Sequence, residues 1–105
     1  MESEKEKMGT GRLYDANYDT ELIAERQACK ELCYELNRLR PSQITEREAI
    51  IRRLFHKTKE HFLLEQPFYC DYGYNIEIGE NFYANINCVI LDEAKVTFGD
   101  NVFIA

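Results

Sequence analysis

The second half of the chain contains an internal repeat, and this repeat constrains the fold more than any other feature. Residues 76–83 (IEIGENFY) align with residues 96–103 (VTFGDNVF), and every pair except Glu77 with Thr97 is identical or of similar chemistry. Similarity at a fixed period is typical of a solenoid, in which each repeat stacks on the previous one. The repeat therefore predicts a stacked architecture for this part of the chain.

A shorter step of six residues runs inside the repeat. Small or apolar residues recur at this interval in two series, Ile78, Ala84, Ile90 and Val96, and Phe82, Cys88 and Ala94. This period indicates a parallel β-helix, whose coils have three short faces and about 18 residues. The observed repeat is longer than that by two positions, which we place in a bulge at residues 92–95. A β-meander with glycine turns is the alternative architecture.

Residues 1–60 have a different pattern, with dense charge and apolar residues at helical spacing. A capping box at Ser3 and Glu6 opens a short helix, which Gly9 and Gly11 end. The second helix begins at Asp19 or Thr20 and ends before Pro41. Ser42 or Thr45 caps the third, with Glu48 placed three residues after Thr45.

The second and third helices each have one apolar face, and the short connection between them predicts an antiparallel pair. The apolar residues are Leu22, Cys29, Leu32, Cys33, Leu36 and Leu39 in the second helix and Ile44, Ile51, Leu54 and Phe55 in the third. We therefore expect an α+β protein, with a helical cap domain at residues 1–60 and the first coils of a β-helix at residues 61–105.

Composition and charge exclude several classes of partner. The chain has 105 residues, of which 45% are hydrophobic, and a formal net charge of -6. This charge provides no general attraction for nucleic acid or an anionic membrane surface. The charged first residues lack the apolar stretch of a signal peptide, and no apolar run is long enough to span a membrane. We therefore expect a cytoplasmic protein without nucleic-acid or membrane partners.

Four cysteines, at positions 29, 33, 70 and 88, are expected to be free thiols in that compartment. Cys29 and Cys33 are four residues apart on a helix, a spacing that places two sulfur atoms on one face. No cysteine or histidine cluster follows at the spacing of a zinc site. Packing as small buried apolar residues is therefore the favoured interpretation, metal binding is the alternative, and we predict no metal cofactor.

Several segments together resemble the maltose O-acetyltransferases and galactoside O-acetyltransferases, which are hexapeptide-repeat acetyltransferases. The resemblance covers essentially the whole chain, in order, and its most specific part lies between Asp71 and Asp92. The matching segments are residues 11–17 (GRLYDAN), 35–37 (ELN), 70–76 (CDYGYNI) and 79–92 (GENFYANINCVILD).

This resemblance implies a helical maltose/galactoside acetyltransferase domain followed by a left-handed parallel β-helix. It also implies a homotrimer with each active site between neighbouring subunits. The implied reaction moves an acetyl group from acetyl-CoA to a hydroxyl of maltose, glucose or a galactoside. Such chemistry needs a base for the hydroxyl proton and a donor for the oxyanion, roles that a His and an Asn fill in the family.

The resemblance also implies a role for each of six residues. Asn85 is the candidate oxyanion donor, and the residues expected to bind the sugar are Asp15, Asp71, Tyr83, Asp92 and Glu93. Carboxylates accept hydrogen bonds from sugar hydroxyls, so an acidic site suits a neutral polyol. Structural alternatives remain open: the asparagines as corner residues or an Asn ladder, Tyr83 as a packing aromatic, and Asp15 as a cap of a local turn.

The catalytic His of the family has no counterpart within residues 1–105. His56 and His61 lie at or beyond the end of the third helix, and the family places its His shortly after the segment matching residues 101–105. Most CoA contacts are likewise expected beyond Ala105. We therefore expect an N-terminal part of a longer enzyme, because about three repeats are usually needed for a stable solenoid. Residues 1–105 are expected to be inactive by themselves because the base is absent.

Two alternatives stay open at this point. One is a non-catalytic short chain that binds sugar or joins trimers of a full-length paralogue. The other is a regulatory or scaffold protein unrelated to sugars, because hexapeptide coils are not confined to enzymes.

Overall fold

Three helices occupy the first half of the chain in the computed structural model, which describes residues 2–105. Their bounds are α1 Glu4–Gly9, α2 Thr20–Arg38 and α3 Ile44–Leu54. Ser3 caps α1 by accepting the backbone N–H of Glu6, and Asp19 caps α2 by accepting the N–H of Leu22. Both predicted helix starts are therefore confirmed.

The start of α3 differs from the prediction that Ser42 or Thr45 caps it. Gln43 is the capping residue and makes no side-chain bond to the helix backbone. Its side-chain oxygen accepts the N–H of Arg40 instead, which closes the turn between α2 and α3.

Helices α2 and α3 pack on the coils, and most of the predicted apolar residues lie in this contact. Two residues of α3 differ from expectation. Ile44 is 59% exposed, whereas Arg47 is buried. The Arg47 guanidinium donates to the carbonyls of Pro41 and Leu64, both at 2.8 Å, so it joins the α2–α3 turn to the first strand.

Seven short strands follow within residues 2–105, and every strand pairing among these residues is parallel. Their bounds are β1 Phe62–Leu64, β2 Phe68–Cys70, β3 Ile76–Glu77, β4 Phe82–Ala84, β5 Cys88–Ile90, β6 Val96–Thr97 and β7 Phe103–Ile104. They form three sheets with strand orders β1-β4-β7, β2-β5 and β3-β6. Parallel pairing excludes the β-meander, because a meander joins antiparallel neighbours.

The pairing register equals the offset of the sequence repeat. Phe62 faces Phe82, Phe68 faces Cys88 and Ile76 faces Val96, so the chain returns to the same sheet after one repeat length. The first residues of β1, β2, β3 and β4 are separated in turn by six, eight and six residues. The two extra residues therefore lie between the second and third sheets. One such corner, at residues 91–95, contains the expected bulge at residues 92–95, and an equivalent corner at residues 71–75 was not predicted.

Alternate side chains of the strands fill the interior. Phe62, Leu64, Phe68, Ile76, Phe82 and Ala84 are each at most 9% exposed. Asn81, Asn87 and Asn101 have φ angles of 59°, 62° and 59° at the corners, and the Asn81 side-chain amide donates to that of Asn101 at 3.1 Å. The interpretation of Asn81 and Asn87 as corner residues is confirmed.

The coils begin slightly before residue 61. Lys57 already forms a parallel bridge with Glu77, and the N–H of His56 donates to the carbonyl of Ile76 at 2.9 Å. The division at residues 60 and 61 stays a prediction. No helix within residues 2–105 is long and apolar enough to cross a membrane.

Candidate active site

The corners at residues 71–75 and 91–95, each of which contains the two extra residues, are called the wide corners. One buried carboxylate holds them together. Asp92 follows β5 and is 0% exposed. Its oxygens accept the backbone N–H groups of Asp71 (3.1 Å), Tyr72 (2.9 Å), Gly73 (2.8 Å) and Asn75 (3.3 Å). Burial raises the pKa of Asp92, and the N–H bonds act in the opposite direction. Asp92 thus organises the loop at residues 71–75.

A glycine is required within that loop. Gly73 has a φ angle of 84°, and a Cβ atom at this position would lie 2.5 Å from the carbonyl oxygen of Leu54. The loop therefore passes directly over the end of α3, where only glycine fits. This contact fixes the wide corner against the helical cap.

A cleft of about 310 Å³ lies between the helical cap and this corner, and we call it the cap cleft. Its lining residues are Tyr14, Ala16, Asn17, Arg26, Lys30, Asp71, Tyr72 and Glu93. Arg26 on α2 donates to the Tyr72 hydroxyl at 2.8 Å and to the carbonyl of Ala16 at 2.6 Å. One arginine therefore joins the segment before α2, the helix itself and the corner loop.

Two carboxyl groups face each other in the cap cleft. Burial, a side-chain hydrogen bond with Asp71 and the charge of Asp71 raise the pKa of Glu93 from 4.5 to about 8. One oxygen of Glu93 is buried without a hydrogen-bond partner among residues 2–105. A protonated Glu93 donates its one proton to Asp71, which leaves the remaining carboxyl oxygens of the pair as hydrogen-bond acceptors.

A second cleft of about 540 Å³ lies along the β1-β4-β7 sheet, and we call it the sheet cleft. Tyr83 and Asn85 line it together with residues of β1 and β7. The ring of Tyr83 contacts that of Phe103 edge to face, with centroids 6.3 Å apart. Tyr83 therefore makes an aromatic packing contact, as expected if it were only a packing residue, and it also borders the sheet cleft.

The amide of Asn85 has a defined orientation. Its Oδ1 accepts the backbone N–H of Ile86 at 2.8 Å, so Nδ2 points away from that bond. No group within residues 2–105 accepts a hydrogen bond from Nδ2. Asn85 thus presents a free N–H donor beside the sheet cleft.

The structure does not bring the six predicted site residues into one place. Asp71 and Glu93 meet in the cap cleft, whereas Tyr83 and Asn85 lie on the sheet cleft, and the two sets of lining residues do not overlap. Asp15 is exposed and accepts the N–H of Tyr18 at 3.3 Å, which is the local cap that the structural alternative described.

Asp92 reaches the expected place but has other partners. A sugar hydroxyl would have to displace backbone donors to bind its carboxylate, because the side chain is fully enclosed. The structure thus gives Asp92 a role in positioning the loop that carries Asp71.

His61 is a residue of the sheet cleft that the sequence analysis did not place there. It lies in the coil below Asn81, whose N–H donates to the His61 carbonyl at 2.8 Å. Its Nδ1 is 3.5 Å from a Glu80 carboxylate oxygen. The constant register of the repeat was the signal that could have placed it, because His61 precedes Asn81 by one repeat length.

The cysteines provide the third grouping of reactive side chains. Cys29, Cys33 and Cys70 are buried, with sulfur atoms all within 4.8 Å of one another. The close approach of the three thiols lowers the pKa of Cys33 and raises the pKa of Cys29. Cys29 and Cys33 alone were visible as a pair in the sequence.

Comparisons with known proteins identify the family to which the chain belongs. The family described as the maltose acetyltransferase hexapeptide capping motif matches residues 7–59. A proposed acetyltransferase of Saccharomyces cerevisiae is 52% identical over 100 residues, which cover 95% of this chain and 51% of the yeast protein. The chain spans about half the length of the curated relatives it matches.

Solved structures show the same fold. The maltose O-acetyltransferase of Clostridium difficile 630 superposes with a TM-score of 0.94 at 45% identity, covering 97% of this chain and 54% of that one. A galactoside acetyltransferase in complex with coenzyme A superposes with a TM-score of 0.85 at 37% identity, covering 99% of this chain and 52% of that one.

Proposed function

Because the chain belongs to the family of acetyltransferases with the maltose acetyltransferase hexapeptide capping motif, we propose that it forms the N-terminal part of a sugar O-acetyltransferase. The intact enzyme would move an acetyl group from acetyl-CoA to a hydroxyl of maltose, glucose or a galactoside. A structural relative with bound coenzyme A supports acetyl-CoA as the donor.

The cap cleft is the observation that carries this proposal. Asp71 and Glu93 offer carboxyl oxygens, and Tyr14 and Tyr72 offer aromatic surface, at a concave site between two rigid elements. This combination suits a neutral polyol, whose hydroxyls donate to carboxylates and whose C–H faces pack on aromatic rings. Arg26 and Asp92 would hold the two walls of the cleft at a fixed separation.

Acetyl transfer needs two further groups. The hydroxyl oxygen attacks the thioester carbonyl, the C–S bond breaks, and the hydroxyl proton goes through a base to the departing CoA thiolate. Asn85 Nδ2 is the proposed donor to the oxyanion, because its partner atom Oδ1 is already occupied by the N–H of Ile86. By family resemblance, the base is a His located after Ala105, and most CoA contacts lie there as well.

The separation of the two clefts supports a homotrimer. A site that needs Asp71 and Glu93 from one surface and Asn85 from another is completed when neighbouring subunits bring the surfaces together. The proposed assembly has left-handed β-helices packed side by side in the cytoplasm, with Tyr83 near the joint. In this arrangement Asp15 lies near the mouth of the cap cleft, as its neighbours Tyr14 and Ala16 line it.

A non-catalytic chain that binds sugar or joins trimers of a full-length paralogue is the second candidate. The coding sequence past codon 105 separates the two. A continuing frame with a His shortly after that codon supports the enzyme, since family members place the base there. A stop codon at that point assigns this chain to the second candidate.

The decisive assay measures acetyl transfer from acetyl-CoA by the intact gene product to maltose, glucose and a thiogalactoside. We expect turnover with at least one sugar, a kcat about 10²–10³-fold lower in Asn85→Ala, and no turnover by residues 1–105 alone. Turnover by residues 1–105 that survives His56→Ala and His61→Ala together would contradict the assignment of the base.

A further inference from the structure

Three cysteine sulfur atoms converge in the core between the helical cap and the first coil. Cys29 and Cys33 lie one turn apart on α2, and Cys70 is the last residue of β2. The three side chains are 2%, 3% and 7% exposed. Because Cys70 is 41 residues from Cys29, only the fold reveals this cluster.

The spacing of the sulfur atoms fits a single metal ion. All three lie within 4.8 Å of one another, and those of Cys29 and Cys70 are 3.5 Å apart. Metal–sulfur bonds of about 2.3 Å in trigonal or tetrahedral geometry place sulfur atoms about 3.7–4.0 Å apart. The Cys29–Cys70 separation is about 0.2 Å shorter than this range and the other two do not exceed 4.8 Å, so binding an ion requires only a small adjustment of the side chains.

An ion has a route to this cluster. A cleft of about 370 Å³ reaches Cys33 and Cys70 from the surface, and Asn37, Tyr34, Tyr69, Asp71 and Lys30 complete its lining. The cleft provides room for a fourth ligand such as water. Lys30 also lines this cleft, and its positive charge would offset part of the negative charge that three thiolates carry.

Packing alone accounts less well for the cluster. The Cys29 thiol donates to the Cys70 carbonyl at 3.3 Å, and the sulfur atoms of Cys29 and Cys70 are in contact at 3.5 Å; sulfur is a weak hydrogen-bonding partner in both. Cys88, the fourth cysteine, pairs with Phe68 in the sheet register and is not a member of the cluster. The chain therefore contains a natural comparison for a cysteine that only packs.

We propose that Cys29, Cys33 and Cys70 bind one thiophilic metal ion, with zinc the physiological candidate and the fourth position open to the adjacent cleft. The three sulfur atoms bind as thiolates, so any proton that they carry is released to solvent as the metal–sulfur bonds form. The ion ties α2 to β2 and so holds the helical cap on the coils. It also fixes Cys70, the residue before Asp71, which lines the cap cleft.

The test is a metal titration of the full chain, reduced with a phosphine and freed of metal by a chelator. Zn²⁺ affinity is measured against a chromophoric chelator, and Cd²⁺ binding by sulfur-to-metal charge-transfer absorption. We expect one ion per chain and a Tm that rises by roughly 5–10 °C at saturating Zn²⁺. Affinity should fall more than about 100-fold in Cys29→Ser, Cys33→Ser and Cys70→Ser, whereas Cys88→Ser should match the wild type.

Thiol mapping of the wild type removes any dependence on whether the serine variants fold. With Zn²⁺ present, alkylation should be slowed at Cys29, Cys33 and Cys70 and unchanged at Cys88. Equal alkylation rates with and without Zn²⁺, failure to bind Zn²⁺ at micromolar concentration, or equal losses in Cys88→Ser would overturn the proposal. None of these readouts involves acetyl transfer, so the proposed enzymatic function is tested separately.

Discussion

Glu93 lies opposite Asp71 at the helical side of the coils, and the two carboxyls cannot both be charged there without cost. Burial is the largest cause that raises the pKa of Glu93, followed by its hydrogen bond with Asp71 and the charge of that residue. At neutral pH Glu93 is therefore mostly protonated. A protonated carboxyl donates a hydrogen bond, so the pair has a donor that two carboxylates would lack.

The folded protein consequently binds more protons at Glu93 than the unfolded chain between pH 4.5 and about 8. The free energy of unfolding should fall as pH rises through this window, and the loss should be complete above the folded pKa. Glu93→Gln removes the titration while its amide still donates to Asp71. We expect the variant to match the wild type near pH 4 and to exceed it by on the order of 1 kcal/mol at pH 8, a value reduced for solvent screening.

Denaturant unfolding at a series of pH values measures this difference. Glu35→Gln is the matched control, because Glu35 is exposed and has no side-chain hydrogen bond or ion pair within residues 2–105. Its pH profile should parallel that of the wild type. A Glu93→Gln profile parallel to both would show that Glu93 is charged throughout.

Sequence reasoning was strongest for residues with local roles and weakest for residues with distant partners. Ser3 and Asp19 cap helices through bonds to residues three positions away, so their roles are visible in the sequence. Asp92 accepts its hydrogen bonds from a loop about one coil earlier. The family resemblance singled out this carboxylate, but only the fold shows that backbone donors surround it.

At the scale of elements, the stacked coils approach each other closely at equivalent glycines, Gly79 and Gly99. A Cβ atom at Gly79 would lie 2.3 Å from the carbonyl oxygen of Gly99, which is too close for any side chain. At Gly99 nothing lies within 4 Å of the same position. The two glycines therefore share a place in the repeat but differ in what covers them.

Gly79→Ala should destabilise the 105-residue chain by about 2–3 kcal/mol, because two coils must separate to admit one methyl group. Gly99→Ala is the matched control and should change the free energy of unfolding by less than about 0.5 kcal/mol. Thermal or denaturant unfolding of both variants measures the contrast. Equal effects of the two substitutions would refute this account of the stacking.

The strand register was predictable because apolar spacing and the internal repeat both report it. The second wide corner was missed because residues 71–75 have no earlier repeat with which to align. The cap of α3 was misassigned for a similar reason. Ser42 and Thr45 have suitable side chains, but the turn places Gln43 at the cap and directs its side chain to Arg40.

For the whole molecule, the family and the order of cap and coils followed from the sequence, whereas the division of the site did not. Asp71, Glu93, Tyr83 and Asn85 all lie within residues 71–93, yet they face two clefts. Successive sheets of a coil face different directions, so nearness in sequence does not place residues on one surface. The proposed trimer restores the site across the subunit boundary.

This division predicts complementation between two inactive variants. In the intact gene product, Asp71→Ala and Asn85→Ala each damage one half of every site. Mixed trimers formed by co-expression should regain about a quarter of wild-type activity, because each half is intact with even chance in random assembly. The assay is acetyl transfer by the purified mixture.

Co-expression of each variant with itself is the control and should give no recovery. If the mixture is no more active than these controls, both residues act in a site within one subunit. The comparison requires no knowledge of which sugar is preferred, provided that the wild-type enzyme turns over the sugar chosen.

The strands of successive coils pair at a constant distance of one repeat length, which has a consequence for changes in chain length. Every face of a coil stacks on the same face of the next coil. Only a change in chain length of one complete turn therefore keeps the strands in register. Duplication of residues 82–101 should add one turn and keep all three sheets in phase. Insertion of half that length would rotate everything downstream to the wrong side of the prism, with apolar side chains turned to solvent. Evolution of this architecture is therefore expected to proceed by steps of a complete turn, with smaller insertions confined to the corners.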